Sequence, residues 1–197
     1  ERVDDGLSNF GLDAISIMNQ LGILIDLSHV GDRTTLETID ASDKPVAFTH
    51  CNARSFVDHV RNKPDDALNA LVEKGGVVGA NAWPSFLSKG YESTLDDYVD
   101  AIDDLVERVG IDHVGMGTDF CQDQPYSFFQ YLFAQQGKKI RPMPLPIPDP
   151  HYHPHGFSGP DEMPDLSRSL VDRGYSDEDI AKVLGGNFLR LFRDVMG

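Results

Sequence analysis

Two cysteines in 197 residues, Cys51 and Cys121, cannot build a disulfide framework, so stability has to come from a hydrophobic core. Long apolar runs are absent as well, and none approaches the ~18 residues that a membrane span requires. Basic residues are scarce, with 17 Lys and Arg against 32 Asp and Glu and a formal net charge of −15. A phosphate backbone is gripped by clustered Lys and Arg, so no nucleic-acid partner is expected. The acidic excess is mostly Asp and is spread along the chain, as on a solvated surface that maintains solubility. There is no internal repeat. No charged-then-apolar leader opens the sequence, so no targeting signal is read there and a soluble, cytoplasmic protein is expected. At 40% hydrophobic and 25% charged, the chain is neither disordered nor fibrous, and its length suits one domain.

What is present is an alternation. Ser8 is placed to cap a helix with Leu12, Ile15, Met18 and Leu21 at helical spacing, and Gly22 to end it. The run ILIDLSH at 23–29 follows, apolar until it closes on polar residues. A second helix is expected from Asp32 past Leu36 and Ile39, then a strand PVAFTH at 45–50. Pro64, Asp65 and Asp66 suit the first turn of a third helix and Gly75 its stop. GVVGAN at 76–81 reads as a strand, Thr94 with Asp97 as the cap of a helix to Val109, and VGMGTD at 114–119 as another strand. Strand and helix at this rhythm mean parallel βαβ units, and near-continuous apolar strands belong to a sheet covered on both faces. Residues 121–163 break the pattern as an irregular insertion. An aromatic segment at 126–133 suits a helix, and RPMPLPIPDP at 141–150 is held by its prolines in extended, polyproline-like coil. Helices are expected again over 166–173, 177–184 and 187–195.

Each strand ends on a polar residue: His29, His50, Asn81 and Asp119. Ligands bind at the carboxyl ends of strands in parallel α/β folds, so these side chains are expected on one face. Two imidazoles on successive strands, with a carboxylate on a later one, make a donor set for zinc or a similar metal. A strand-end histidine also serves as a hydrogen-bonded structural residue. Asp26 suits a structural acceptor or a group that orients an imidazole. Asp119 suits a metal ligand, a general base or a cap of the next segment. Arg61 suits a bidentate grip on a carboxylate or plain surface exposure. His151, His153 and His155 form a histidine tract without the fixed spacing of a helix or strand. Cys51 follows His50 and is expected to point away from the site, and Cys121, near Asp119, stands closer, although no nucleophile–base pair can be named for it from sequence. Gly115 and Gly117 lack the third glycine of a dinucleotide-binding fingerprint.

With these residues marked, the runs GILIDLSHV at 22–30, PVAFTHCNAR at 45–54, RNKPDD at 61–66, GGVVGAN at 75–81 and HVGMGTDF at 113–120 resemble the renal, or membrane, dipeptidase family of zinc peptidases. So does the tail from Gly174, Tyr175 and Ser176 to GGNFL at 185–189, and the matches occur in order over most of the chain. The resemblance implies an α/β fold, a (β/α)8 barrel of the TIM type, and a two-zinc centre that hydrolyses dipeptides with a metal-activated water. It implies His29 and His50 as ligands of one zinc, Arg61 as a substrate-binding residue and Asp119 as the catalytic proton-transfer residue. Asn81, a strand-end residue inside a matching run, is expected to contact substrate. The family also uses a His-x-Asp pair on its first strand and a bridging glutamate, and neither segment is found here. The chain is therefore expected to be the C-terminal half of one barrel domain, about the last four βα units plus C-terminal helices. Alone it would lack a complete metal centre, so a missing N-terminal half is an expected partner beside the dipeptide substrate and a second copy in a homodimer. Two other readings stand: a non-catalytic barrel remnant that binds metal or a small ligand, and another metal-dependent amidohydrolase acting on cyclic amides.

Overall fold

A computed structural model describes residues 3–134 and 152–197. Helix α1 (Asn9–Leu21) begins where Ser8 Oγ accepts from Gly11 N at 3.1 Å and stops at Gly22, whose φ of 65° is left-handed. It turns Ile15 into the core but leaves Leu12 and Leu21 46% and 68% exposed, so only part of its apolar face is covered. Helix α2 (Asp32–Ala41) is capped from a distance. The Asp4 carboxylate accepts from Arg33 N at 2.7 Å and from both the backbone and the hydroxyl of Thr34.

Strand β1 (Ala47–Phe48), α3 (Asp65–Glu73), β2 (Val77–Ala80), α4 (Leu95–Val109) and β3 (Val114–Met116) then alternate as the sequence implies. The strands pair in the order β1-β2-β3, all parallel, with Ala47 beside Val77 and Val78 beside Val114. The 23–29 segment adds to the free side of β1: Leu27 N donates to Ala47 O at 2.8 Å and Ala47 N to Ile25 O at 3.0 Å. This ladder is shorter than the run of apolar residues because side chains take over its donors. Thr49 N turns to the Asp26 carboxylate at 3.0 Å, and His50 N to Ser28 Oγ at 3.1 Å. The result is an α/β fold on a small parallel sheet, which fits part of a barrel. Its core gathers Phe48, Leu71, Val78, Tyr98, Ile102 and Leu105, all 0% exposed.

Helix α4 starts on the Thr94–Asp97 cap, whose carboxylate accepts from Thr94 N and Oγ1 at 2.8 Å each. Helices α5 (Tyr126–Phe133), α6 (Met163–Asp172), α7 (Asp177–Ala181) and α8 (Asn187–Met196) follow. The helix expected over 177–184 is broken by a kink through Lys182–Gly186. Asn187 docks α8 on the sheet, donating through Nδ2 to Ile111 O and Val114 O at 2.7 Å each. The proline-rich coil read at 141–150 and His151 lie outside the described residues. No described helix is long and apolar enough to cross a membrane.

Beyond the strand ends the backbones approach closely. A Cβ on Gly117 would lie 2.8 Å from Gly79 O and from His50 Cα, and closer still to Thr49 O. Only a residue without a side chain lets the turn after β3 reach the His50 turn. Gly117→Ala should therefore cost roughly 1–3 kcal/mol of stability, read as a lowered denaturant midpoint. An unchanged midpoint would show that this approach is not constrained.

Candidate active site

One carboxylate organises the first two strand ends. Asp26 accepts from Ser28 N (3.0 Å), Ser28 Oγ (2.6 Å), Thr49 N (3.0 Å) and Thr49 Oγ1 (2.7 Å). A hydroxyl has one proton to give. Ser28 and Thr49 spend theirs on Asp26, which leaves both oxygens as acceptors. Ser28 Oγ takes the His50 amide at 3.1 Å, and Thr49 Oγ1 takes the Nδ1 proton of His50 at 2.8 Å. The network thus places a proton on His50 Nδ1, so in the neutral ring the lone pair sits on Nε2. Partial enclosure alone would raise the Asp26 carboxyl, but the Ser28 and Thr49 donors outweigh it and hold it below the ordinary carboxylate range.

His29 stands beside His50, with ring centroids 5.0 Å apart. Arg61 Nη2 lies 3.2 Å from His29 Nε2. A guanidinium only donates, so His29 Nε2 accepts and carries no proton. Burial, followed by the positive charge of Arg61, pushes the His29 pKa down and favours the neutral ring. Arg61 is itself held: Nη1 donates to Ser28 O, the guanidinium lies 5.5 Å from the Phe86 centroid, and its amide donates to His59 Nδ1 at 3.1 Å. Its loop closes on itself, with Lys63 N donating to Asn52 O at 2.9 Å and Arg54 N to Lys63 O at 2.8 Å. Of the two sequence readings for Arg61, plain surface exposure is set aside, because the side chain is half-buried and directed at His29.

Asp119 sits just past β3 at a φ of 58°, uncommon for a residue with a Cβ. Together with His29 and Arg61 it lines a cleft of about 500 Å³ whose other walls are His59, Trp83, Ser85, Phe86, Tyr91, Cys121, Phe129 and Leu132. Most of these walls come from two stretches, the aromatic helix α5 inside the irregular 121–163 insertion and the turn after Asn81, of which only the turn carried no functional reading from sequence. The signal was present in the chain's one tryptophan, two residues past a strand end. The Asp119 turn is tied from behind: Cys121 N donates to His153 Nε2 at 3.2 Å, and the Phe120 ring meets His153 edge-on at 5.3 Å. His153 Nδ1 is buried without a partner, and burial pushes the ring toward its neutral form. The histidine tract therefore does not gather around a metal among the described residues.

Asn81 is 0% exposed, and its side chain serves backbone groups, donating to His50 O at 3.2 Å and accepting from Trp83 N at 2.6 Å. Asn52 reciprocates, accepting from Asn81 N at 2.8 Å and donating to Asn81 O at 2.9 Å. The expected substrate contact at Asn81 thus meets a side chain already engaged in joining the His50 and Trp83 turns. Cys51 is buried, yet its Sγ lies 3.9 Å from Arg61 Nη1, so it backs the site instead of pointing fully away from it. Burial pushes both thiols up, with Asp119 adding to the effect at Cys121, so neither is a thiolate nucleophile at neutral pH.

Neighbouring imidazoles with unprotonated Nε2 atoms are the donors that zinc takes. Among the described residues no group of three His, Cys, Asp or Glu could hold a metal ion. The residues present therefore fit part of a zinc site, and further ligands would have to come from outside them.

Two outcomes test this construction. The folded pKa of Asp26 is depressed, so its stabilisation is complete above about pH 4, the unfolded value, and is lost as pH falls through the folded one. Asp26→Asn should cost about 1–2 kcal/mol at pH 7, the range for charge-assisted bonds partly open to solvent. The gap between variant and parent, followed by denaturant titration, should close below pH 4. For His153, Phe keeps the packing but not the acceptor, whereas Gln restores an acceptor. Amide exchange at Cys121 should quicken about tenfold in His153→Phe, as expected for one lost hydrogen bond, and stay near the parent rate in His153→Gln.

The profile of the membrane dipeptidase family (Peptidase family M19) matches residues 1–128 and 149–196. Dipeptidase tcpJ of Claviceps purpurea is 30% identical over 194 residues, 98% of this chain and 39% of the relative. An uncharacterized dipeptidase of Schizosaccharomyces pombe, C965.12, is 33% identical over 96% of this chain and 40% of its own length. Among solved structures, an amidohydrolase from Pseudomonas aeruginosa superposes with a TM-score of 0.92 at 39% identity, over 99% of this chain and 59% of that one. A metallopeptidase from Rhodobacter sphaeroides, liganded with a phosphinate mimic of the dipeptide L-Ala-D-Ala, gives 0.77 at 27% identity over 96% and 47%. The chain spans about two fifths of the length of these curated relatives. On the family profile, which covers most of its residues, the chain belongs to the membrane dipeptidase family.

Proposed function

We propose that this chain carries part of the active site of a zinc-dependent dipeptidase, with His29 and His50 as metal ligands. The observation that carries the reading is the proton order of the Asp26–Thr49–His50 chain, which puts the lone pair of the neutral His50 ring on Nε2, beside the unprotonated Nε2 of His29, an acceptor that a metal would take over from Arg61 Nη2. A zinc ion there would supply Lewis-acid polarisation of the scissile carbonyl and a more acidic attacking water. Arg61 binds the substrate carboxylate, a task suited to a planar fork of donors. Asp119 takes the proton of the attacking water and returns it to the leaving amine. Asn81 acts by joining the His50 and Trp83 turns. The remaining ligands and the first half of the barrel are assigned to a segment outside these 197 residues.

The test uses the protein that carries this chain as its natural reading frame encodes it. His29→Ala should lose bound zinc and dipeptide hydrolysis together. Asp119→Asn should keep zinc and lose roughly 10²–10⁴-fold in kcat. Full activity and full zinc in His29→Ala would sink the assignment. A second reading, hydrolysis of cyclic amides, draws on the close superposition with the Pseudomonas protein described as an amidohydrolase. Turnover of cyclic amides with none of dipeptides would favour it.

A further inference from the structure

The cleft beside His29 is polar at one end and apolar over most of its wall. Its charged groups are Arg61 and Asp119. Trp83 and Phe129 stand with ring centroids 6.0 Å apart, and Phe129 is 0% exposed, so this part of the wall is fixed. Leu132, one turn further along α5, is 49% exposed, so its apolar surface has no cover from the described residues. Tyr91 and Ser85 bond their hydroxyls to each other at 2.9 Å.

Continuity fixes which part of a dipeptide meets this wall. Arg61 rests on Phe86, and Phe86 and Trp83 belong to one short turn through Pro84–Phe86. The apolar wall therefore adjoins the carboxylate anchor, and the side chain nearest it is the one borne by the C-terminal residue.

We propose that Trp83, Phe129 and Leu132 form a specificity wall that selects dipeptides whose C-terminal residue has a bulky apolar side chain, aromatic or branched aliphatic. This rests on the dipeptidase reading above. A cleft of about 500 Å³ lies inside the range of roughly 300–1,000 Å³ typical of small-molecule sites, and it has room for such a side chain. Each methylene buried there multiplies affinity roughly fourfold. A charged side chain would lose its hydration against Trp83, Phe129 and Leu132 without an ionic partner on that wall.

The experiment is a kcat/KM panel on the full protein loaded with zinc. It uses Ala as the first residue and Gly, Ala, Leu, Phe, Asp or Lys as the second, each chiral second residue in both stereochemical forms. Leu- and Phe-ended dipeptides should exceed Ala-ended ones by roughly 10–100-fold, with Asp- and Lys-ended ones lowest. The wall is then altered at Leu132, an exposed position that folding tolerates. Leu132→Ala should lower the Phe-to-Ala ratio at least fivefold, and Leu132→Lys should raise the rate on Asp-ended relative to Phe-ended dipeptides. Equal rates across the panel, a preference set by the first residue, or an unchanged ratio in both Leu132 variants would overturn the wall while leaving the dipeptidase reading intact. No hydrolysis of any dipeptide by zinc-replete protein would instead overturn the dipeptidase reading, and the wall with it.

Discussion

The Asp26 carboxylate is the interaction on which the active face depends. It gathers four donors from two segments that are adjacent in space and more than twenty residues apart in sequence. Three consequences follow from one anion. The strand ladder ends where the carboxylate replaces a carbonyl as acceptor for Thr49 N. The hydroxyls of Ser28 and Thr49 are polarised in one direction, which sets the proton of His50. Thr49 O is held where Gly79 and Gly117 pass so close that neither position has room for a Cβ. Ionised acceptors make the stronger hydrogen bonds, so the tautomer of a candidate ligand and the spacing of three strand ends share one charge.

The loop between His50 and α3 places two cations, and their surroundings separate their roles. Lys63 is 1% exposed, its ammonium donating to Val30 O at 2.7 Å and Thr35 Oγ1 at 3.0 Å and lying 5.1 Å from the Phe48 ring centroid. Burial pushes its pKa down, and its bonds tie the start of α2 to the loop. Arg61 keeps part of its guanidinium in the cleft, although Ser28 O, Phe86 and His29 hold the rest. An ammonium is a compact point charge, whereas a planar guanidinium can bond a carbonyl, stack on a ring and still present an N–H elsewhere. The loop uses each cation for the task that its shape allows.

The alternation of elements was legible in the sequence because caps and stops carry local chemistry. Ser8, Gly22, Pro64 and the Thr94–Asp97 pair all act within a few residues of themselves. Strand lengths were overestimated because apolar character does not reveal where a side chain will take over a ladder donor, as Asp26 does. The convergence of His29 and His50 followed from their strand-end positions. Arg61 could not be placed from its neighbours, since its position depends on a loop closing through Lys63 and Asn52. His153 looked like one member of a histidine tract, and its bond to Cys121 N joins segments about thirty residues apart. The cap on α2 shows the same limit, because Asp4 supplies from a distance what the residue before the helix does not. Local chemistry is readable from sequence, and contacts closed by tertiary folding are not.

The exposed apolar surface bears on how such a site is completed. On α1, Phe10, Ile17 and Leu21 are 81%, 54% and 68% exposed, and on α8 Leu189, Phe192 and Met196 are 50%, 40% and 59% exposed. A Cβ on Gly22 would lie 3.2 Å from Met196 Cα, so the two stripes adjoin at their ends. The described residues leave both stripes uncovered. Among the described residues, the 23–27 segment pairs only with β1, and this outer segment carries Asp26 and leads into His29. Whatever pairs with its free side is thereby brought beside the two imidazoles. On the reading proposed above, closing the sheet edge and completing the metal ligands are one structural event, because the segment that has no outer neighbour among the described residues leads into His29, beside His50.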